Sequence, residues 1–139
     1  MPVTRVGVVG WGSMLEIGLY SAIAPWVLLL VSSVWRYPAI LEEVVKWGIL
    51  KTSKIGESKA AISKGLVVGL VFGLSEAILY SLNGWQSGEW GTLLMRFLLT
   101  VPMHMVTATI IAYAMSKRMV VVGLTTAMII HAGFNYWVR

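Results

Sequence analysis

Seven polar residues that could do chemistry stand within otherwise apolar stretches of the sequence. They are Glu42, Glu43 and Lys46 in LEEVVK, Glu76 in FGLSEAILY, His104 in VPMHMVT, and His131 with Asn135 in HAGFN. A carboxylate can take a proton from water, and histidines combined with a carboxylate are common zinc ligands. Because ionisable side chains are costly inside a membrane-spanning segment, each is by default a candidate for function.

The spacing of these residues places several of them on shared helix faces. Three pairs are four residues apart, which makes them neighbours on a helix surface: Glu42 with Lys46, Glu76 with Tyr80, and His131 with Asn135. Glu42 and Glu43 are consecutive and point about 100° apart on a helix, so we expect only one of them to face a shared cavity. We favour Glu42, because Lys46 on its own face can hold the carboxylate ionised.

The elements that position these residues are hydrophobic helices. The chain is 58% apolar and 12% charged, against about 25% charged residues in a soluble domain. Four stretches are long enough to cross a bilayer, which takes about 20 apolar residues: 17–35, 65–82, 97–115 and 119–138. A shorter apolar segment, 38–50, carries the glutamate pair, with Pro38 suited to a first helical turn. We predict an all-α polytopic membrane protein, a bundle of about five helices in one domain spanning residues 1–139.

The basic and aromatic residues predict the orientation of this bundle. If the short segment also crosses, one side carries Arg5, Lys51, Lys54, Lys59, Lys64, Lys117 and Arg118, and the other carries Arg36 and Arg139. The aromatic residues Trp35, Tyr37, Trp85, Trp90, Tyr136 and Trp137 then fall at the second interface. The positive-inside rule makes the first side cytoplasmic. We therefore predict a cell-membrane protein whose N-terminus lies in the cytoplasm and whose C-terminus lies outside the cell. The net charge of +5 therefore reflects topology, and we expect no nucleic-acid partner.

Four of the candidate residues converge on one depth in this topology. Counting along each helix at 1.5 Å per residue, Glu42, Glu76, His104 and His131 all lie roughly 10 Å below the outer surface. A shared level favours a single site over four separate polar residues.

A stripe of small residues leads into this site. Gly65, Gly69 and Gly73 lie on nearly the same helix face as Glu76. Small residues at this spacing let two helix backbones approach closely. We therefore expect Glu76 to point toward a neighbouring helix.

Four motifs occur along residues 41–135 in a recognisable order. They read Glu42-Glu43-x-x-Lys46, then a GFxxxE-like helix with Glu76 and Tyr80, then Arg96 followed by Pro102-x-His104-x-x-Thr107, then His131-x-x-x-Asn135. This pattern resembles the PrsW-type intramembrane proteases, which belong with the CAAX-protease and bacteriocin-processing (CPBP) membrane proteins in a wider group.

The resemblance implies hydrolysis of a peptide bond within or beside the lipid bilayer, in a membrane-associated protein or peptide substrate. We expect Glu42 or Glu43 to act as general base, with Glu76, His104 and His131 holding zinc or the water directly. Asn135 would hold the developing oxyanion. Supporting roles fall to the other residues of the motifs: Lys46, Tyr80, Arg96 and Thr107.

Two alternatives remain open at this point. A metal-free glutamate protease of the CAAX type would use both histidines only to orient water. A transporter or scaffold subunit would use Glu76 and the histidines as a proton relay, although a relay needs groups at different depths. Cysteine chemistry is excluded because the chain has no cysteine, and serine catalysis is disfavoured because Ser75 and Ser81 lack a histidine and carboxylate in their own segment.

Overall fold

The computed structural model describes residues 11–32, 37–85 and 90–138, and these fold into five α-helices. In chain order they are α1 (Trp11–Ser32), α2 (Pro38–Thr52), α3 (Ser58–Trp85), α4 (Trp90–Ser116) and α5 (Val120–Trp137). The predicted all-α bundle, with a short helix carrying the glutamate pair, is confirmed.

Four of these helices are long and apolar enough to cross a membrane. The segments are Gly12–Val31, Ser58–Leu82, Phe97–Ser116 and Val120–Trp137. The chain is therefore a multi-pass membrane protein, and α2, at 15 residues, is the short element of the bundle. Several boundaries differ from prediction, including the start of α4 at Trp90 instead of residue 97. Helix α1 begins at Trp11, while residues 33–35 of the predicted first span lie outside the described residues; α3 begins at Ser58, so the lysine-rich stretch 51–64 is partly helical.

The helices alternate in direction, so their ends meet in two groups. At one end the start of α2, the end of α3, the first half of α4 and the end of α5 surround a common cavity, through Pro38, Tyr80, Thr100 and Val138. At the opposite end, the Ser116 hydroxyl of α4 lies 3.4 Å from the Ser58 hydroxyl of α3. This alternation is the arrangement that five crossing segments require.

Helices α3 and α4 form the most extensive interface of the bundle, and glycine makes it possible. A Cβ atom placed on Gly65 would lie 2.6 Å from the Cα of Thr109, and one on Gly73 would lie 2.9 Å from the Cα of Val101. At Gly69 it would collide with the backbone of His104. The predicted close approach along this stripe is therefore confirmed, and its consequence is that His104 is held directly against α3.

A buried lysine on α3 forms hydrogen bonds with the connection between α2 and α3. The Lys64 ammonium, on α3, donates to the backbone carbonyl of Ser53 and, at 3.0 Å, to that of Lys54. Lys54 itself has a positive φ of 47°, which turns the chain just after α2 ends. Lys64 thus holds the C-terminal end of α2 against α3.

Candidate metal centre

Helix α2 brings the glutamate pair and its lysine into the bundle. Glu43 and Lys46 are completely buried, and the Lys46 Nζ lies 2.6 Å from the Glu43 Oε1. The expected salt bridge between Lys46 and Glu42 is thus replaced by one with Glu43. The physical reason is that residues three apart share a helix face as well as residues four apart do.

Lys46 also ties α2 to its neighbours. Its ammonium donates to the Thr107 hydroxyl on α4 at 3.0 Å and lies 5.1 Å from the centre of the Phe72 ring on α3. The Thr107 hydroxyl in turn donates to the backbone carbonyl of His104 at 3.3 Å. The buried charge is therefore satisfied by a carboxylate, a hydroxyl and an aromatic face, and it connects the glutamate pair to the turn that carries His104.

His131, from α5, is contacted by both glutamates. Its Nδ1 lies 2.6 Å from the Glu43 Oε1, and its Nε2 lies 3.5 Å from the Glu42 Oε2. Both carboxylates therefore reach nitrogens of one imidazole ring, and Glu42 is the member of the pair that lines the larger cavity, as expected. In the tautomer whose Nδ1 donates to Glu43, the Nε2 lone pair faces Glu42.

His104, from α4, has a carboxylate partner of its own. Its Nε2 is in close contact with the Glu76 Oε2, and its ring lies edge-on to that of His131 with the ring centres 5.1 Å apart. Gly73 makes room for the side chain, since a Cβ there would lie 3.3 Å from the His104 Cβ. The four residues expected at one level, Glu42, Glu76, His104 and His131, are thus brought together.

Three of these residues form a set that suits a metal ion. Glu42, His104 and His131 each offer a ligand atom, and these atoms lie within 4.8 Å of one another. The separation of 3.5 Å between Glu42 Oε2 and His131 Nε2 is close to the roughly 3.3 Å expected for two ligands of one tetrahedral zinc ion. The sequence prediction had Glu76 in this set, whereas the structure places Glu76 beside His104 and Glu42 with both histidines.

Unpartnered polar atoms support the presence of a cation. Among the described residues, the Glu42 Oε2 and the His104 Nδ1 are buried atoms that make no hydrogen bond. In the tautomer that donates from Nδ1, the Glu42 oxygen and the Nε2 lone pair face each other, and either a shared proton or a metal cation between them relieves the repulsion; a buried acceptor without a partner costs about 1–3 kcal/mol. Nitrogen and oxygen ligands of this kind suit zinc, so the residues present fit the ion that the sequence predicted.

Two cavities adjoin the donor set and share Pro38, Glu76 and Tyr80 in their walls. One, of about 250 Å³, lies between α1, α2 and α3 and includes Glu42. The other, of about 180 Å³, includes His131 and Asn135. Glu76 borders both, and Tyr80, one helical turn further along α3, lines both cavities with it.

The remaining predicted residues are placed as follows. Asn135 lies on the cavity wall with His131, and Thr107 contacts Lys46. The Arg96 side chain lies outside the part of the chain that the structure describes, so its role stays a prediction. Sequence reasoning gave Phe72 no role, although it lies one helical turn before Glu76 and packs against His104 with the ring centres 5.1 Å apart.

Comparison with known proteins identifies one family. The family model described as "PrsW family intramembrane metalloprotease" matches residues 6–139 of the chain. Comparison with curated proteins and with solved structures finds no match.

Proposed function

The chain belongs to the PrsW family of intramembrane metalloproteases, and from this premise we propose that it hydrolyses peptide bonds of membrane-associated substrates at a zinc centre held by Glu42, His104 and His131. The single observation that carries the proposal is the clustering of those three ligand atoms within 4.8 Å of one another. The cluster is formed by three different helices, so it exists only in the folded bundle.

The zinc ligands are supported by a second layer of carboxylates. Glu43 accepts the Nδ1 proton of His131, and Glu76 contacts the Nε2 of His104. Ligating histidines commonly use their second nitrogen in this way, because the partner selects the tautomer and orients the ring. Lys46 neutralises Glu43 and holds it in place. Glu43 and Lys46 are therefore positioning residues in this proposal.

When bound, zinc supplies a Lewis acid that lowers the pKa of water and polarises the scissile carbonyl. Glu76 is our candidate for the general base, because its side chain borders both cavities, whereas Glu42 lines the larger one. Tyr80 lies one helical turn further along α3 and lines both cavities with it. Asn135 lines the smaller cavity, and in this proposal its amide donates to the developing oxyanion. Relative to the sequence prediction, Glu42 and Glu76 exchange roles.

The test is zinc-dependent peptide cleavage by the whole protein in detergent micelles. The protein is treated with a chelator, freed of it, and assayed on a pool of apolar peptides with and without added zinc. Cleavage that is lost on chelation and restored by zinc in the wild type, but not in His131→Ala, supports the proposal. Unchanged cleavage by protein shown to contain no metal contradicts it and favours the metal-free glutamate protease.

A further inference from the structure

The larger cavity beside the site has an apolar wall. It lies between α1, α2 and α3 and encloses about 250 Å³. The side chains that line it include Leu28 and Leu29 from α1, Leu41 from α2, and Phe72 and Leu79 from α3. Glu42 and Glu76 form its polar side. The cavity therefore joins a hydrophobic space to the two carboxylates assigned above.

Phe72 separates this space from the histidines. Its side chain is completely buried, with the His104 ring and the Lys46 ammonium each 5.1 Å from its ring centre. A group seated against Phe72 is thus one side chain away from His104. At the same time it lies directly beside Glu42 and Glu76. An occupant of the cavity is therefore adjacent to the position where the proposed hydrolysis takes place.

The size and the chemistry of the cavity restrict what it can bind. Its volume is smaller than the roughly 300–1,000 Å³ of sites for whole small molecules. The leucine and phenylalanine side chains offer no hydrogen bonds, so a polar group placed against them would lose its bonds to water without replacement. We infer that the cavity is a specificity pocket for one large apolar side chain of the substrate, next to the scissile peptide bond; this inference rests on the proposed function.

The width of the pocket is set by α1, which is bonded to α3 beside it. The Trp26 indole N–H donates to the Ser75 hydroxyl at 3.0 Å, and that hydroxyl donates to the Ala22 carbonyl at 2.6 Å. Ser75 immediately precedes Glu76, so these bonds hold α1 at the level of the site. They also leave the Ser75 hydroxyl engaged in a structural role. Leu28 lies two residues after Trp26 and lines the cavity, so we assign it as the specificity-determining residue on α1.

The pocket is tested by changing its size at Leu28 and reading the cleavage preference. The probe is a set of synthetic peptides with common apolar flanks and one varied position carrying Ala, Leu, Phe, Asp or Lys. Cleavage sites and rates are measured by mass spectrometry with zinc-loaded protein in detergent micelles. The wild type should cleave beside Leu or Phe at least about tenfold faster than beside Ala, and should not cleave beside Asp or Lys, since one or two methylene groups in an apolar pocket are worth about that factor.

Two Leu28 variants and one control complete the design. Leu28→Phe narrows the pocket and should lower the ratio of the cleavage rates of the Phe and Ala peptides about tenfold. Leu28→Ala widens the pocket and should raise this Phe-to-Ala ratio. The control is Leu30→Phe, because Leu30 lies on the same helix, is 76% exposed and does not line the cavity. It should leave the ratio unchanged.

The outcomes separate the pocket from the proposed function. Zinc-dependent cleavage whose Phe-to-Ala ratio is the same in both Leu28 variants and the wild type overturns the pocket and leaves the protease standing. An equal change in KM for every peptide means that the cavity holds a lipid chain, which also overturns it. Failure of the wild type to cleave any peptide, with or without zinc, is a failure of the proposed function itself.

Discussion

Lys46 and Lys64 are both buried, but their surroundings differ. The Lys46 ammonium lies 2.6 Å from the Glu43 carboxylate and donates to the Thr107 hydroxyl at 3.0 Å. The Lys64 ammonium donates to backbone carbonyls, those of Ser53 and Lys54. Lys46 thus has an anionic partner inside the bundle, whereas the partners of Lys64 are neutral carbonyls just after the last turn of α2.

The difference shows how one residue type serves two purposes. Because Glu43 also contacts the Nδ1 of His131 at 2.6 Å, the charge on Lys46 bears on a group of the candidate site. The Lys64 ammonium lies instead at the C-terminal end of α2, where a cation interacts favourably with the last carbonyls of the helix. We therefore expect the first lysine to affect both folding and cleavage, and the second to affect folding alone.

Replacing Lys46 with Met should have the largest effect. The change leaves the Glu43 carboxylate buried without its cation, and breaking a buried pair in this way costs about 3–5 kcal/mol of unfolding free energy. Cleavage by the folded fraction should also fall, because Glu43 no longer holds His131. Unfolding of the purified variant in detergent, combined with the peptide assay, measures both. A Lys46→Met protein as stable and as active as the wild type would contradict the assigned role.

The fold was largely predictable because its elements are long apolar segments. Span length and the glycine stripe are local properties, so the four long helices and the close approach of a neighbouring helix to α3 follow from them, whereas the identity of that helix as α4 does not. The start of α3 was missed, since the residues at 58–64 are polar and lysine-rich. In the structure, the Lys64 ammonium of this stretch donates to the Ser53 and Lys54 carbonyls, and these contacts leave no pattern in the sequence.

The sequence predicted which residues form the site better than it predicted which of them contact one another. Ionisable side chains in an apolar chain are few, so their convergence could be inferred from depth alone. The partner of each carboxylate could not be inferred in this way. Residues three apart and residues four apart are both neighbours on a helix surface, and contacts between helices leave no pattern of spacing in the sequence. Lys46 therefore pairs with Glu43, and Glu42 rather than Glu76 lies with both histidines.

Replacing Glu76 with Gln should lower the cleavage rate next most strongly. Gln keeps the shape of the side chain but removes the proton acceptor, and loss of a general base typically costs about a hundredfold or more in kcat. The control is Glu57→Gln, at an exposed position in the α2–α3 connection, which should leave kcat unchanged. Near-normal cleavage by Glu76→Gln, together with a Glu42→Gln variant that binds zinc but is inactive, would return the base to Glu42.

Replacing Lys64 with Met should give a smaller effect, confined to stability. The Ser53 and Lys54 carbonyls lose a charged donor, which is worth about 1–3 kcal/mol of unfolding free energy. Activity per folded molecule should stay at the wild-type level. Lys59→Met, at an exposed position of the same helix, is the matched control and should change stability by less than about 0.5 kcal/mol. If Lys64→Met reduces cleavage as much as Lys46→Met does, the contrast between the two lysines is wrong.

Single cysteines test the predicted orientation without disturbing fold or activity. Because the chain contains no cysteine, Gly56→Cys and Gly91→Cys each introduce one thiol, at exposed positions where an added Cβ meets open space. In intact cells, a membrane-impermeant maleimide should label the second and spare the first, since the positive-inside rule places the lysine-rich connection in the cytoplasm. The opposite pattern reverses the orientation, and labelling of both in sealed cells rejects the crossing arrangement.

The zinc content of two glutamate variants tests the central assignment most directly. Wild-type protein should bind about one zinc ion, measured by elemental analysis and by competition with a chromophoric chelator. If Glu42, His104 and His131 are the ligands, Glu42→Gln loses stoichiometric zinc, whereas Glu76→Gln retains it with an affinity lowered about ten- to a hundredfold, as expected for a residue that orients a ligand. The reverse result, with zinc lost in Glu76→Gln and kept in Glu42→Gln, would contradict this account and restore the set of Glu76, His104 and His131.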